Sequence, residues 1–395
     1  MDYDIAIIGG GPAGIMAAIA CSADLNVVLL EKNSSLGKKL LLTGGGRCNI
    51  TNNKPLKKLL SFYDKKNFLK HSFYTFTNED LFSLFDFEFI EEDDNRIFPE
   101  SERSIDVLNG LKKHLKNVEI RLNYEVKSIK GNFIINNEIN ARKVIIATGG
   151  ATYPKTGCSI ENYSLIDEPL TKIKYGLSPL ITKEDLSSIA GITLKNVECT
   201  YKKSKINGDV LISHVGLTGP GIINLSNEIS KDIDYDILDD DKDIDCEIAI
   251  DLTPDYSHDD LKNKFNNDFQ EKGKTQIKNY LKQYLTNNFV EFLLNRVNIT
   301  PDTQLSRINK KEKNRLIDCL KRFTFEIIDF NKDLAKITIG GVDLTNINPK
   351  TMESKITPNL YFAGEILDLD GPTGGYNLKI AFSTGYLAGK SASDD

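Results

Sequence analysis

A run of glycines beginning nine residues into the chain, Gly9-Gly10-Gly11-Pro12-Ala13-Gly14, limits the fold more than any other feature. It follows an apolar stretch, residues 4–8 (DIAII), that reads as a buried strand, and it opens a segment, 12–23, that reads as a helix. Residues 26–31 (NVVLLE) then read as the next strand, so the chain starts as a βαβ unit. Each glycine of the G-x-G-x-x-G spacing meets a separate demand. Gly9 permits the tight turn from strand to helix. Gly11 lets a diphosphate approach the backbone, and Gly14 lets the helix pack closely on the strand. A diphosphate there rests on the helix N-terminus, where free N–H groups and the helix dipole favour an anion by about 0.3–1 kcal/mol at exposed sites. Glu31, 17 residues beyond Gly14, ends the second strand where an acid accepts from ribose hydroxyls. A carboxylate there disfavours the 2′-phosphate of NADP.

The far end of the chain decides between dinucleotides. Residues 360–365 (LYFAGE) read as a strand running into Gly364-Glu365, followed by Asp368 and the turn Gly371-Pro372-Thr373-Gly374-Gly375-Tyr376-Asn377 before a helix, 378–390. A returning strand, acid, glycine turn and helix suit FAD. They hold the ribityl chain and point a helix N-terminus at the flavin pyrimidine, which favours negative charge on the reduced ring. An NAD dehydrogenase has no use for such an element. Thr148-Gly149-Gly150, after the strand 143–148, is a third crossing of the same kind.

Between these pieces the texture changes. Residues 54–89 suggest short helices with aromatic anchors, 104–116 a helix, and 118–122, 125–129 and 133–135 strands. From about 159 strand-like pieces alternate with turns through 252, and 259–330 reads as several amphipathic helices, including 278–285, 289–296 and 311–323. The expected fold class is α/β: a doubly wound Rossmann-like domain, 1–158 and 335–395, split by a β-rich insertion (159–255) and a helical one (256–334). The acidic stretch 231–245 is expected to be a mobile loop.

Composition removes other classes. With 395 residues, 40% hydrophobic and 27% charged, the chain suits a soluble globular protein. Its apolar runs are far shorter than a membrane span. The first eight residues carry acids and no basic segment, so they do not read as a secretion signal, and a cytoplasmic location is expected. Six scattered cysteines with no CxxC, and four dispersed histidines, argue against disulfides and a built-in metal site. Net charge is −6, yet residues 32–70 hold ten basic side chains and one acid, Asp64. The plain reading is a solvated face; the other is a surface for a polyanion.

Further segments carry a family resemblance. Gly37-Lys38-Lys39 with Thr43-Gly44-Gly45-Gly46-Arg47-Cys48-Asn49-Ile50-Thr51-Asn52 closely resembles the signature of the bacterial and archaeal BaiN/YhiN-type FAD-dependent oxidoreductases. So do Arg96–Pro99 (RIFP), Tyr153–Gly157 (YPKTG), His214–Pro220 (HVGLTGP), Gly340-Gly341-Val342 and the segment 364–378. The resemblance implies an FAD domain, a β-barrel-like insertion and a helical subdomain. It implies that Gly9, Gly11, Gly14, Glu31, Lys39, Gly45, Arg47, Cys48, Thr148, Gly149, Gly364, Glu365, Gly375, Tyr376 and Asn377 line the FAD. The same expectation takes in Pro12, Ala13, Lys32, Gly44, Val126 and Gly374. After Tyr153–Gly157 the family continues Ser-Thr-Gly-Asp-Gly-Tyr or similar and a longer helix; this chain has Cys158-Ser159-Ile160-Glu161-Asn162-Tyr163 and a shortened stretch.

Flavin N5 exchanges a hydride while the protein places the substrate and supplies a proton. There is no second G-x-G-x-x-G, so NADH or NADPH as reductant would bind transiently. The resemblance implies reduction of a C=C conjugated to a carbonyl, in a steroid-like enone or in uridine of ribosomal RNA, or else amine oxidation with O2. A non-catalytic FAD-binding redox module is the third reading. Cys48 is the expected proton donor, its pKa lowered by the adjacent Arg47, unless it only packs on the flavin. Arg47 could instead neutralise cofactor or substrate. His214 is a second acid or carbonyl donor, or else steadies the turn 216–219. RNA could be held by Lys54, Lys57, Lys58, Lys65, Lys66 and Lys70, interleaved with Phe62, Tyr63 and Phe68. A second cluster, Arg307, Lys310, Lys311, Lys313, Arg315, Lys321 and Arg322, could do the same.

Overall fold

The computed structural model describes residues 2–238 and 244–394. The chain divides into two compact units: Met1–Tyr175 with Tyr235–Asp240 and Lys336–Asp395, and Gly176–Asp234 with Asp241–Ala335.

The first unit is built on a parallel sheet. Strand β1 (Asp2–Ile8) leads through the glycine turn into helix α1 (Pro12–Ala20), and strand β2 (Val27–Leu30) returns beside β1. Strand β3 (Val118–Arg121) pairs with β2, strand β4 (Ile139–Ile146) with the other side of β1, and strand β5 (Leu360–Phe362) with the end of β4. The parallel order is therefore 3-2-1-4-5, the doubly wound arrangement expected. All four residues of β2 are buried. So is the apolar end of β1, Ile5–Ile8. Such strands read as unbroken apolar runs because both faces are covered.

The last helix, α2 (Tyr376–Ser393), packs along α1. A Cβ added at Gly385 would lie 2.2 Å from Ala13 O, and one at Gly389 2.1 Å from Ala17 O. Both contacts advance by four residues, so the two helices run side by side in the same direction, backbone against backbone. The remote ends of the chain thus share one core.

The strand expected over 125–129 is reduced to Ile129–Lys130. The Asn136 side chain takes the place of a ladder partner, accepting from Lys127 N and Ser128 N and donating to Glu125 O.

The second unit holds a closed six-stranded barrel. Its strands, in order around the barrel, are Leu180–Thr182, Gly216–Thr218, Ser204–Ile212, Thr193–Tyr201, Cys246–Asp251 and Phe323–Phe330, the last pairing back onto the first. Helices His258–Glu271, Ile277–Leu281, Asn287–Arg296 and Lys310–Lys321 lie between the last two strands in sequence. One expectation is corrected here. Residues 323–330 are a barrel strand, not helix, and the preceding helix ends at Lys321. Phe323, Phe325 and Ile327 are buried while Glu326 and Ile328 are exposed. This is a period of two, which a helical reading of the neighbouring pattern overran.

Of the acidic stretch 231–245, residues 239–243 lie outside the described residues, and Lys231-Asp232 close the helix Pro220–Asp232. Among the described residues no helix is long and apolar enough to cross a membrane.

Candidate functional site

The glycines behave as their spacing requires. Gly9 has φ +105°, and a Cβ there would stand 2.4 Å from Ala147 O; a Cβ at Gly14 would stand 1.8 Å from Gly9 O. At Gly11, the N-cap of α1, an added Cβ would meet nothing within 4 Å. No side chain caps α1, so its first N–H groups are left for an anion. Pro12 occupies the first turn, and Ala13 is buried beneath it.

Glu31 is buried at the end of β2. Its Oε2 accepts from Gly10 N (2.7 Å), and its Oε1 from Asn33 N (2.7 Å) and Asn33 Nδ2 (2.6 Å). A carboxylate has about four acceptor positions, so three protein donors orient it and leave one for a ribose hydroxyl. Lys32 reaches Asn162 Oδ1 (3.4 Å) in the shortened loop, and Val126 is buried in the core.

The loop 43–48 is a second cradle. Gly44, Gly45 and Gly46 all have positive φ (+58°, +69°, +91°), and a Cβ at Gly45 or Gly46 would meet nothing within 4 Å. Cys48 follows at φ +61°, with its N–H donating to Thr43 O (3.0 Å).

The environment of Cys48 is opposite to the one expected. Its side chain is fully buried, and burial pushes the thiol up to about 12 against a smaller lowering by Thr43. The Arg47 guanidinium is engaged elsewhere, hydrogen-bonded to Glu92 and Glu102 and lying 4.2 Å from the Phe98 ring centroid. Arg47 is a strut of the glycine loop and does not activate the thiol. Iodoacetamide should therefore leave Cys48 of the native protein unmodified from pH 7 to about 9, with peptide mass spectrometry as the readout. Rapid labelling would restore a reactive thiol.

The third crossing and the closing segment complete the site. Gly149 has φ +76°, and a Cβ there would stand 3.1 Å from Cys158 Sγ; the Thr148 hydroxyl is buried without a hydrogen-bond partner. Gly364 faces Ala13, with its N–H donating to Thr384 Oγ1 (2.9 Å). Glu365 is held on both sides, accepting from Lys39 Nζ (2.6 Å) and Thr338 N (2.8 Å). Burial alone would lower the Lys39 pKa, but Glu365, with smaller contributions from Cys158 and Tyr153, more than offsets it and the net shift is upward. Gly374 and Gly375 turn at φ +114° and +91°. A Cβ at Gly375 would stand 2.3 Å from Thr51 C. Tyr376 opens α2 with its ring 5.2 Å from that of Phe62 and its hydroxyl buried and unpartnered. Asn377 spends its amide on the turn itself, exchanging bonds with Gly371 N (3.0 Å) and Gly371 O (2.8 Å).

Sequence reasoning missed the residues that tie the loop 43–48 to α2. Asn52 Nδ2 donates to Gly374 O (3.2 Å) and to Asp94 O (2.9 Å). With its amide turned to satisfy its neighbours, Asn49 accepts from Gly375 N (3.2 Å). Their only signal was membership of an N-x-x-N stretch beside the glycines.

Geometry tests whether these residues fit FAD. Counting from the contact of Gly385 with Ala13, the N-terminus of α2 projects about 12 Å beyond that of α1 in the same direction. Two uncapped N-termini so offset suit a diphosphate at one and a flavin ring at the other, with the ribityl chain between. The glycine positions where a Cβ would fill the cradle, Gly11, Gly45 and Gly46, and the buried Glu31 agree with that length. The residues fit.

His214 belongs to the second unit, exposed on the turn between two barrel strands. That turn is steadied by Ser213 instead, which donates from Oγ to Gly216 O (3.0 Å) and accepts from Gly216 N (3.2 Å).

The expected basic surface also loses members. Lys54 is buried, donating to Asp94 Oδ1 and Asp94 O (both 2.6 Å), and Lys65 pairs with Asp368 (3.2 Å). Lys57, Lys58, Lys66 and Lys70 are exposed, with Phe62 and Tyr74 among them. In the second cluster Lys321 is drawn in by Asp251 (2.6 Å) and Arg322 pairs with Glu247 (2.9 Å), whereas Arg307, Lys310, Lys311 and Arg315 are exposed.

Comparison with known proteins adds the following. The profile of the HI0933-like protein Rossmann domain matches residues 3–391. A 3-dehydro-bile acid delta(4,6)-reductase of Clostridium scindens is 29% identical over 418 aligned positions, 99% of either chain. A ribosomal RNA dihydrouridine synthase of Escherichia coli K12 is 28% identical over 406 positions, 97% of this chain and 96% of its own. Among solved structures, 3-ketosteroid delta1-dehydrogenase from Sterolibacterium denitrificans, in complex with 1,4-androstadiene-3,17-dione, aligns over 99% of both chains at 13% identity with a TM-score of 0.49.

Proposed function

We propose a reaction on one premise: the chain belongs to the HI0933-like Rossmann family and is an FAD-dependent oxidoreductase. The reaction is saturation of a carbon–carbon double bond conjugated to a carbonyl. The observation that carries it is the end-to-end likeness to two relatives, one named for reducing a 3-dehydro-bile acid and one for making dihydrouridine in ribosomal RNA. A steroid enone and a uracil ring share the C=C–C=O unit.

Bound in the cradle, FAD supplies a hydride at N5. The chain's own residues bind and orient. The N-terminus of α1 and Gly11 hold the diphosphate, Glu31 the ribose, and the N-terminus of α2 at Gly375 the electron-rich edge of the ring. Arg47, fixed by Glu92 and Glu102, keeps the loop 43–48 in place. Cys48 packs as a protonated thiol. NADH or NADPH, occupying the substrate position in turn, is the proposed reductant.

Within this reading, a uridine in RNA is the favoured substrate, because Lys57, Lys58, Lys66 and Lys70 stand exposed beside Phe62 and Tyr74. Lysines track phosphates and aromatic faces stack bases. Changing all four lysines to glutamine should weaken RNA binding and flatten the slope of log affinity against log salt by up to about 3, at roughly 0.7 per single-strand phosphate contact. Filter binding across a salt series measures it, and an unchanged slope would remove RNA from the proposal.

The reaction itself is tested in one anaerobic cuvette. NADH, then NADPH, should bleach the flavin band, and a ribosomal RNA fragment or a dienone steroid acid should restore it. A reduced flavin that ignores both and reoxidises only in air, with peroxide release, would favour the oxidase reading.

A further inference from the structure

Lys379 takes no part in the site described above, yet it is buried in the first turns of α2, only 1% exposed. Its Nζ donates to Phe76 O (2.8 Å), an oxygen that also accepts from Ser383 Oγ (3.3 Å). The nitrogen lies 5.5 Å from the Phe73 ring centroid and 5.6 Å from that of Phe76. Among the described residues no carboxylate pairs with it within 4.0 Å. One carbonyl and two aromatic faces are thin solvation for an ammonium, which offers three donors.

The titratable groups around it are few. Asp80, which caps the helix Asn78–Phe82 with Thr77, acts on it from a distance. Tyr63, edge-on to Phe73, spends its hydroxyl on Tyr376 O (3.0 Å). Burial lowers the Lys379 amine to about 7, against the opposing pull of Asp80. Near neutral pH both forms are therefore populated.

Its position supplies the link to chemistry. Lys379 lies in the first turn of α2, about 4.5 Å along the axis from Tyr376 at the end offered to the ring, and is turned about 120° from the Gly385 face that meets Ala13, towards Phe73 and Phe76. Helical side chains lean towards the N-terminus, here the end offered to the ring. In so dry a setting a charge on the ring is felt by a nearby amine.

We propose that Lys379 is a buried proton acceptor coupled to reduction of the bound FAD. Two electrons and one proton go to the ring, leaving it anionic, and a second proton passes from solvent to the Lys379 amine, which the new anion stabilises as an ammonium. The positive charge in turn favours the reduced ring and raises its potential. This rests on the bound flavin and on no choice of substrate.

The experiment uses the FAD-loaded protein, with loading verified by its visible band, reduced anaerobically by dithionite in weakly buffered solution with a pH indicator. At about pH 8 the wild type should take up close to two protons per flavin, and Lys379→Met close to one. The midpoint potential of Lys379→Met, read against a reference dye, should be lower and fall less steeply with pH. Lys379→Arg, charged in both redox states, should keep the potential high while taking up one proton. Equal uptake in wild type and Lys379→Met overturns the proposal. If Lys379→Met does not fold, the wild type alone decides, since an uptake of one proton at that pH, after subtracting dithionite's own, has the same force. A protein without a flavin band would instead point to failure of the cofactor reading.

Discussion

Replacing Gly11 with valine should leave a folded protein that binds FAD roughly a hundredfold or more weakly than the parent. Gly11 has φ −78° and ψ −177°, an extended conformation open to any residue, and an added Cβ meets no protein atom within 4 Å. The fold therefore has no use for a glycine here; the diphosphate does, because it must reach the N–H groups at the start of α1. Losing two charge-assisted bonds at about 1.5–3 kcal/mol each corresponds to a loss of roughly a hundredfold or more in affinity. Titration of the cofactor-free variant with FAD, followed by flavin fluorescence, measures the loss. Its melting temperature without FAD should stay within about 2 °C of the parent. Tight FAD binding by the variant would remove the diphosphate from this turn. Gly9→Val provides the contrast, since its Cβ would strike Ala147 O at 2.4 Å and φ is +105°. There the fold itself should fail.

Gly385→Val should be among the most damaging single changes in α2. Its Cβ would stand 2.2 Å from Ala13 O and 3.0 Å from Ala13 C and Cα, all backbone atoms of α1, so no side chain can swing aside. Separating the two helices would open the core they share with β5 and would displace Gly364 from Ala13. We expect a cost of about 4 kcal/mol, a large part of a typical domain stability of roughly 5–15 kcal/mol. In a unit of this size that is a fall of about 10 °C in melting temperature, or loss of soluble protein. FAD binding should fail with it, since the N-terminus of α2 would leave its register with α1. Lys390→Ala, on the exposed face of the same helix, should change little. A Gly385→Val protein as stable as the parent would overturn the parallel packing of the two helices.

What could be read from the sequence was local in its physics. Gly9 and Gly14 are required by a dihedral angle and a close backbone contact, each within a few residues, and the structure has both, while at Gly11 it leaves the space that an approaching diphosphate would use. The continuous apolar runs of β1 and β2 announced a parallel sheet because both faces are covered. The returning end was legible for the same reason, as Gly374-Gly375 must turn before α2.

The misreadings came from partners far away in sequence. Nothing near Arg47 foretold that Glu92 and Glu102, 45 and 55 residues on, would claim its guanidinium. Around Cys48 the effect of burial consequently outweighs a small lowering by Thr43. Lys54 looked like a surface charge until Asp94 took it inward, and Lys65, though exposed, has its charge claimed by Asp368. Residues 323–330 were read as helix because their alternation is short and follows a strongly helical stretch, and a barrel strand is fixed by its neighbours, Cys246–Asp251 and Leu180–Thr182.

The pairing of β5 with β4 has a consequence for the protein during its synthesis. Val144, Ile145 and Ile146 leave the ribosome with β1 already available on one side. Their partners on the other side, Leu360, Tyr361 and Phe362, are made more than two hundred residues later. Throughout that interval the nascent chain carries an open, apolar strand edge, the kind of surface that recruits other chains. At roughly 5–20 residues per second the exposure lasts on the order of ten seconds or more. Growth temperature, translation speed and chaperone supply should thus govern the yield of this protein more strongly than the stability of its finished fold.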